Sequence, residues 1–191
     1  MRAFGLHSII AAFVLASPVI STVLLPRKQV CANDGKTVAG TIFTRDLSET
    51  SSSLRVRGNS PIPCIWCGIS TTTYIVITSL AIPGLLPDDT RPLLQRRGVA
   101  AAAAQLKYYI GINGDVALPA GSFTYLNDWV RLQAFNANNH QLTRGVTLSA
   151  FLALRSWMIA YGVFGTASFK IYDGFNLVGS GNLELLNGLP N

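Results

Sequence analysis

Between Gly145 and Gly165 the chain runs from Val146 to Phe164 with Arg155 as its single charge. A stretch this apolar must be shielded from water. It contains Phe151, Leu152, Leu154, Trp157, Met158, Ile159 and Tyr161. As a helix it is apolar nearly all round, which suits either the centre of a small domain or entry into lipid with Trp157 and Tyr161 near the interface. As strands it is a sheet interior. Core is the expected role, because a domain of roughly ninety residues needs a central element.

The flanking pattern is largely β. Trp129–Phe135 alternates, placing Val130, Leu132 and Ala134 on one face, and Phe169–Tyr172 and Leu183–Leu185 repeat the alternation. Gly174, Gly179 and Gly181 are expected as turns, Leu118–Gly121 as another, and Asn136–Gly145 as a polar loop. Val99–Leu106 is Ala-rich with high helix propensity, whereas Lys107–Ile112 turns β-like before the turn signal Asn113-Gly114. The expected fold is mostly β, with α+β as the variant: a small antiparallel β domain with one central apolar helix or strand pair.

The N-terminus reads as a secretory signal. Met1-Arg2 supplies a basic start, Ile9–Leu25 is uncharged and apolar, and Val19-Ile20-Ser21 suits a signal peptidase. Residues 1–21 are thus expected to be a signal peptide and the product to be secreted. A second processing signal is Arg96-Arg97, a dibasic pair that an acidic protease subsite could hold by charge and hydrogen bonding. Pro87, Asp88, Asp89 and Pro92 read as an exposed linker before it. The expected organisation is therefore signal 1–21, propeptide or linker 22–97 and a mature β-rich domain 98–191, with residues 44–60 a Ser- and Arg-rich connector.

Charge and cysteine follow that division. The net charge is +6 over the whole chain, but residues 22–97 carry nine Lys or Arg against five acids and residues 98–191 five against four. The C-terminal part thus lacks the basic stripe that phosphate neutralisation requires, which argues against nucleic acid as a partner. Cys31, Cys64 and Cys67 all precede Arg97. Cys64-Ile65-Trp66-Cys67 has redox or metal-ligand spacing, but no second Cys pair accompanies it, so a disulfide or an odd free thiol is the expected state. Residues 61–87 are uncharged and long enough to span a bilayer, yet Pro61, Pro63, Pro83 and Pro87 with β-branched Tyr74-Ile75-Val76-Ile77 favour a pairing strand.

Catalytic chemistry finds little footing. His140 sits in an Asn-rich loop, and Asp115, Asp128, Asp173 and Glu184 are scattered among turns and strands. Ser122, His140 and Asp128 are the residue types of a nucleophilic triad, but nothing in their spacing requires one. No catalytic residues, cofactor or metal ligands are assigned.

A signal peptide, a propeptide, Arg96-Arg97 and a Cys-free C-terminal product resemble the layout of yeast killer preprotoxins of the zygocin type. The resemblance implies a toxin released by a processing protease at Arg96-Arg97, which attaches to a target cell wall or membrane and perturbs the membrane through an apolar segment. That segment would be Val146–Phe164, with Phe151, Leu154, Arg155, Trp157 and Tyr161 as its contacts. Phe169–Ser180 is similar to a βγ-crystallin Greek-key strand and turn, and Asn127-Asp128-Trp129-Val130 to that family's calcium loop. Arg131 and Leu132 stand where the loop expects Ser or Thr, so no calcium site is expected. The alternative function is a secreted effector or surface-binding module without membrane activity, using Trp129, Phe135 and Tyr172 as contacts. Oligomeric state has no signal in the sequence.

Overall fold

The computed structural model describes residues 29–44, 62–82 and 91–186. The signal segment and nearly all of the 44–60 connector lie outside these. Six strands and two long helices follow one another as β1 (Cys64–Cys67), β2 (Thr73–Ala81), α1 (Arg91–Asn113), β3 (Ser122–Leu126), β4 (Val130–Asn136), α2 (Arg144–Tyr161), β5 (Thr166–Asp173) and β6 (Asn176–Leu185). The strands form a single antiparallel sheet in the order β1-β2-β5-β6-β4-β3. The expected small, mostly β antiparallel domain is present, with the central apolar segment a helix and a second long helix beside it.

Residues 62–82 form β1, β2 and the turn between them. The β-branched run in β2 pairs with β1 on one side and β5 on the other, from Thr73 opposite Asp173 to Ala81 opposite Thr166. Among the described residues no helix is long and apolar enough to cross a membrane. The sheet crosses the expected boundary at residue 97. Segments from both sides of it are hydrogen-bonded neighbours, so 98–191 lacks two strands of its own sheet.

The helix α1 continues through Lys107–Ile112, where strand was expected. Its buried positions Val99, Ala102, Ala103 and Leu106 keep helical spacing, and Tyr109 packs against the same core one turn later. Local β propensity at Tyr108, Tyr109 and Ile110 yields to that packing. The Asn113-Gly114 pair is the helix stop: Gly114 is left-handed at φ 73°, and its N–H donates to the Ile110 carbonyl at 2.8 Å.

The second helix is capped at both ends. The Thr143 hydroxyl accepts from the Val146 N–H at 3.2 Å, the Asp115 carboxylate accepts from the Gly145 N–H at 2.7 Å, and Gly162 closes the C-terminus in the left-handed conformation. The inward face of α2 presents Ala150, Phe151, Ala153, Leu154, Trp157 and Met158 to Ile75, Ile77, Phe169 and Ile171 of the sheet. Full burial of each large side chain contributes about 1.5–3 kcal/mol. The helices thus close one face of the sheet over the main core.

Two glycines expected as turns lie inside β6. A Cβ at Gly181 would overlap the Phe169 ring, and one at Gly179 the Leu142 side chain. They are there because neighbouring side chains occupy the space above them. On the face opposite the helices, Cys31, Ala39 and Phe43 pack over Cys67 and Tyr74 as a second small cluster. The Cys31–Cys67 disulfide ties residues 29–44 to this side.

Candidate surface-binding site

Three of the five contact residues assigned from the sequence are interior. Phe151, Leu154 and Trp157 are 0% exposed, packed between α2 and the sheet. No partner or lipid reaches them while the domain is folded, and their role as contacts is corrected to core. Tyr161 is half-buried and turns inward, its ring 5.8 Å from Trp66 and 6.1 Å from Trp157. Burial is the main influence raising its hydroxyl to about 12, helped by the Cys64 thiol beside it. Arg155 alone of the five reaches the outer surface of α2.

The dibasic pair lies in the second turn of α1 rather than in a linker. Gln95 before it is fully buried, its side-chain amide donating to the Gly165 carbonyl at 2.6 Å, and Val99 just after it is also fully buried. The Arg96 guanidinium sits 4.8 Å from the centre of the Phe164 ring, while Arg97 is exposed. Proteases favour exposed loops, so a cut at Arg97 requires this turn to unwind.

The cysteine pair is separated by strand geometry. Cys64 and Cys67 are three residues apart in an extended strand and therefore face opposite sides of the sheet. Cys67 bonds to Cys31, and Cys64 is a buried free thiol in the main core. Burial pushes the Cys64 thiol up, against the hydrogen bonds of Tyr161 and Trp157. A Cys64–Cys67 redox couple is excluded by this arrangement.

The residue types of a triad are equally dispersed. Ser122 opens β3, Asp128 lies in the turn beyond its far end, and His140 is in the exposed 137–141 loop. Ser122 and Asp128 sit at opposite ends of the β3-β4 hairpin, on the order of 15 Å apart at the usual strand rise. Among the described residues no group of three His, Cys, Asp or Glu is placed to hold a metal ion.

The feature that the sequence division concealed is the charge of the helical layer. The helix α1 contains Arg91, Arg96, Arg97 and Lys107, α2 contains Arg144 and Arg155, and neither contains an acid. The strands are balanced, with Arg131 and Lys170 against Asp173 and Glu184, and Arg131 bonded to Glu184 at 3.1 Å. Arg144 opens α2, and its guanidinium donates to the Tyr109 carbonyl near the C-terminus of α1 at 3.2 Å and lies 5.5 Å from the centre of the Tyr109 ring. That contact ties the start of α2 to the end of α1, where the helix dipole favours a cation.

Apolar side chains accompany these cations. On the outward face of α1, Leu93, Tyr108 and Ile112 are 48%, 64% and 60% exposed and share helical spacing with exposed Arg97 and Lys107. On α2, Leu152 and Ile159 are exposed beside Arg155. Sequence reasoning missed this pattern because α1 was divided at residue 97 and Lys107–Ile112 was read as β-like.

The opposite face of the sheet is polar where residues 29–44 do not cover it. Cross-strand pairing aligns Ser168, Asn182, Gln133 and Thr124 in one row, and Lys170, Ser180, Phe135 and Ser122 in the next. Trp129 and Phe135 are exposed, whereas Tyr172 is half-buried, stacked on Tyr74 at 4.8 Å.

The fold and surface define a two-layer α+β domain with a cationic, apolar-studded helical layer. No family model matches the chain, and no match was found among curated proteins or solved structures.

Proposed function

We propose that this is a secreted, disulfide-bonded protein that binds an anionic cell surface through its helical layer. The observation that carries this reading is the segregation of charge: six cations and no acid in the two helices, with exposed Leu93, Tyr108, Ile112, Leu152 and Ile159 among them. Anionic leaflets attract clustered Lys and Arg with about 1 kcal/mol each near the surface, and exposed apolar side chains add affinity by entering the interface. The Cys31–Cys67 disulfide supports an oxidising compartment and hence secretion.

In this reading the protein lies on the membrane as a folded domain. Killer-toxin-like antagonism would then begin with adhesion of the helical layer, and any damage to the bilayer would not come from withdrawing α2 from the core. The working form keeps residues 62–97, because β1, β2 and the first turns of α1 complete the sheet and core.

The test is co-sedimentation with vesicles of mixed phosphatidylserine and phosphatidylcholine, against phosphatidylcholine alone. Binding is expected only with the anionic lipid and is expected to fall with salt. The double substitution Arg97→Gln and Lys107→Gln removes two exposed cations and should weaken binding about 30-fold, from roughly 1 kcal/mol each. Equal binding to both vesicles would reject the reading.

A second reading has its own observation. Phe135 is exposed on the polar sheet face and Trp129 in the turn before β4, which supports a glycan- or protein-binding module without membrane activity. Loss of glycan or protein-partner binding in Phe135→Ala, with vesicle binding unchanged, would favour it.

A further inference from the structure

On the solvent side of α2, where the β1-β2 turn comes against the helix, lies a groove of about 400 Å³. Its walls include Ile69 from the turn and Ser149, Leu152, Arg155, Ser156 and Ile159 from α2. The helix residues fall on one face at intervals of three and four. Ile69, Leu152 and Ile159 are each about half exposed, so the rim is apolar and open to water.

The polar lining is all donor or hydroxyl. Arg155 Nε is buried without a hydrogen-bond partner, and the hydroxyls of Ser149 and Ser156 share the groove with it. No carboxylate is among the lining residues. Arg155 lines the groove with its Nε closed to solvent, so the terminal guanidinium nitrogens are the donors that can meet an anion there. The volume lies in the range of small-molecule sites, and the combination of a cationic floor with apolar walls fits a ligand that is anionic at one end and apolar at the other.

We propose that this groove binds the phosphate headgroup of an anionic lipid, with Arg155 and the two serines on the phosphate and the apolar rim against the start of the acyl chains. The proposal deepens the surface-binding reading and rests on it for the source of the lipid. General adhesion uses the exposed cations of α1; the groove adds recognition of a single lipid molecule.

The two are separable by experiment. Dihexanoylphosphatidylserine below its micellar concentration presents one lipid and no surface. Titrated into the intact protein and followed by amide chemical shifts, it is expected to saturate, with the largest shifts around Ser149, Arg155 and Ser156. Dihexanoylphosphatidylcholine and inorganic phosphate are expected to bind at least tenfold more weakly, the first lacking net charge and the second the chains. Arg155→Gln should abolish saturation while Arg97→Gln with Lys107→Gln leaves it intact. Leu152→Glu, at an exposed position, places a carboxylate on the rim and should weaken the lipid more than tenfold without depending on an Arg155 variant. Equal binding of inorganic phosphate, or unchanged lipid binding in Leu152→Glu, would overturn the lipid site. Adhesion to vesicles with no saturable binding of the short-chain lipid would remove the groove and leave the surface reading standing.

Discussion

The two faces of the sheet are closed by different means. On one, two helices bury a continuous core from Ile75 and Ile77 to Leu132 and Leu183; on the other, residues 29–44 cover only the β1-β2-β5 end and are tied by one disulfide. The same strand supplies both, since Cys64 faces the helical core as a free thiol and Cys67 faces the small cluster as a half-cystine. Charge divides likewise, with helices wholly cationic and strands balanced. The lesson is that the helical side is held by a continuous apolar core, whereas the other side is a small cluster fastened by one disulfide.

The largest test of this contrast removes the N-terminal strands. Residues 98–191 expressed alone are expected not to fold, because β5 loses its β2 partner and Ile75 and Ile77 leave the core; far-ultraviolet circular dichroism and amide dispersion read this directly. A well-dispersed spectrum from that fragment would restore a boundary at Arg97. Within the intact chain, Trp157→Ala should cost about 3–5 kcal/mol in urea unfolding, as expected for a large core side chain. A small cost would return Trp157 to the surface.

Breaking the other face should cost less. Cys31→Ser with Cys67→Ser is expected to destabilise by about 2–4 kcal/mol, with hydrogen exchange accelerated first in residues 29–44 and little changed in α2. Uniform acceleration would mean that the two faces unfold as one. A smaller effect is alkaline. Tyr161 is held neutral in the fold up to about 12, against an ordinary value of 10, so its contribution to stability is complete below pH 10 and is lost as pH rises from 10 to about 12. Tyr161→Phe should flatten that part of the pH profile. Stability that holds steady between pH 10 and 12 in the parent protein would contradict the inward position of Tyr161.

Much of the fold was legible in the residues. The alternation in Val130–Phe135 and Phe169–Tyr172 gave strands with the expected inward faces, because a half-buried strand must alternate. The need to bury Val146–Phe164 was equally plain. The candidate site was less so: Phe151, Leu154 and Trp157 were expected as core from the residues and as membrane contacts only from the killer-toxin resemblance, because a stretch apolar nearly all round does not reveal which side meets the sheet. Leu152 and Ile159, as apolar as their neighbours, are the ones left outside.

By itself, then, the chain determined its local periodicities, its caps and stops at Thr143, Gly114 and Gly162, and the necessity of an apolar core, since each depends on neighbours within a few residues. Tertiary packing alone decided that Lys107–Ile112 stays helical, that Gly179 and Gly181 serve close approach, that Cys67 chooses Cys31, and that six cations share one layer. Those outcomes depend on which faces meet across the sheet, and the residues involved are separated by tens of positions in the chain.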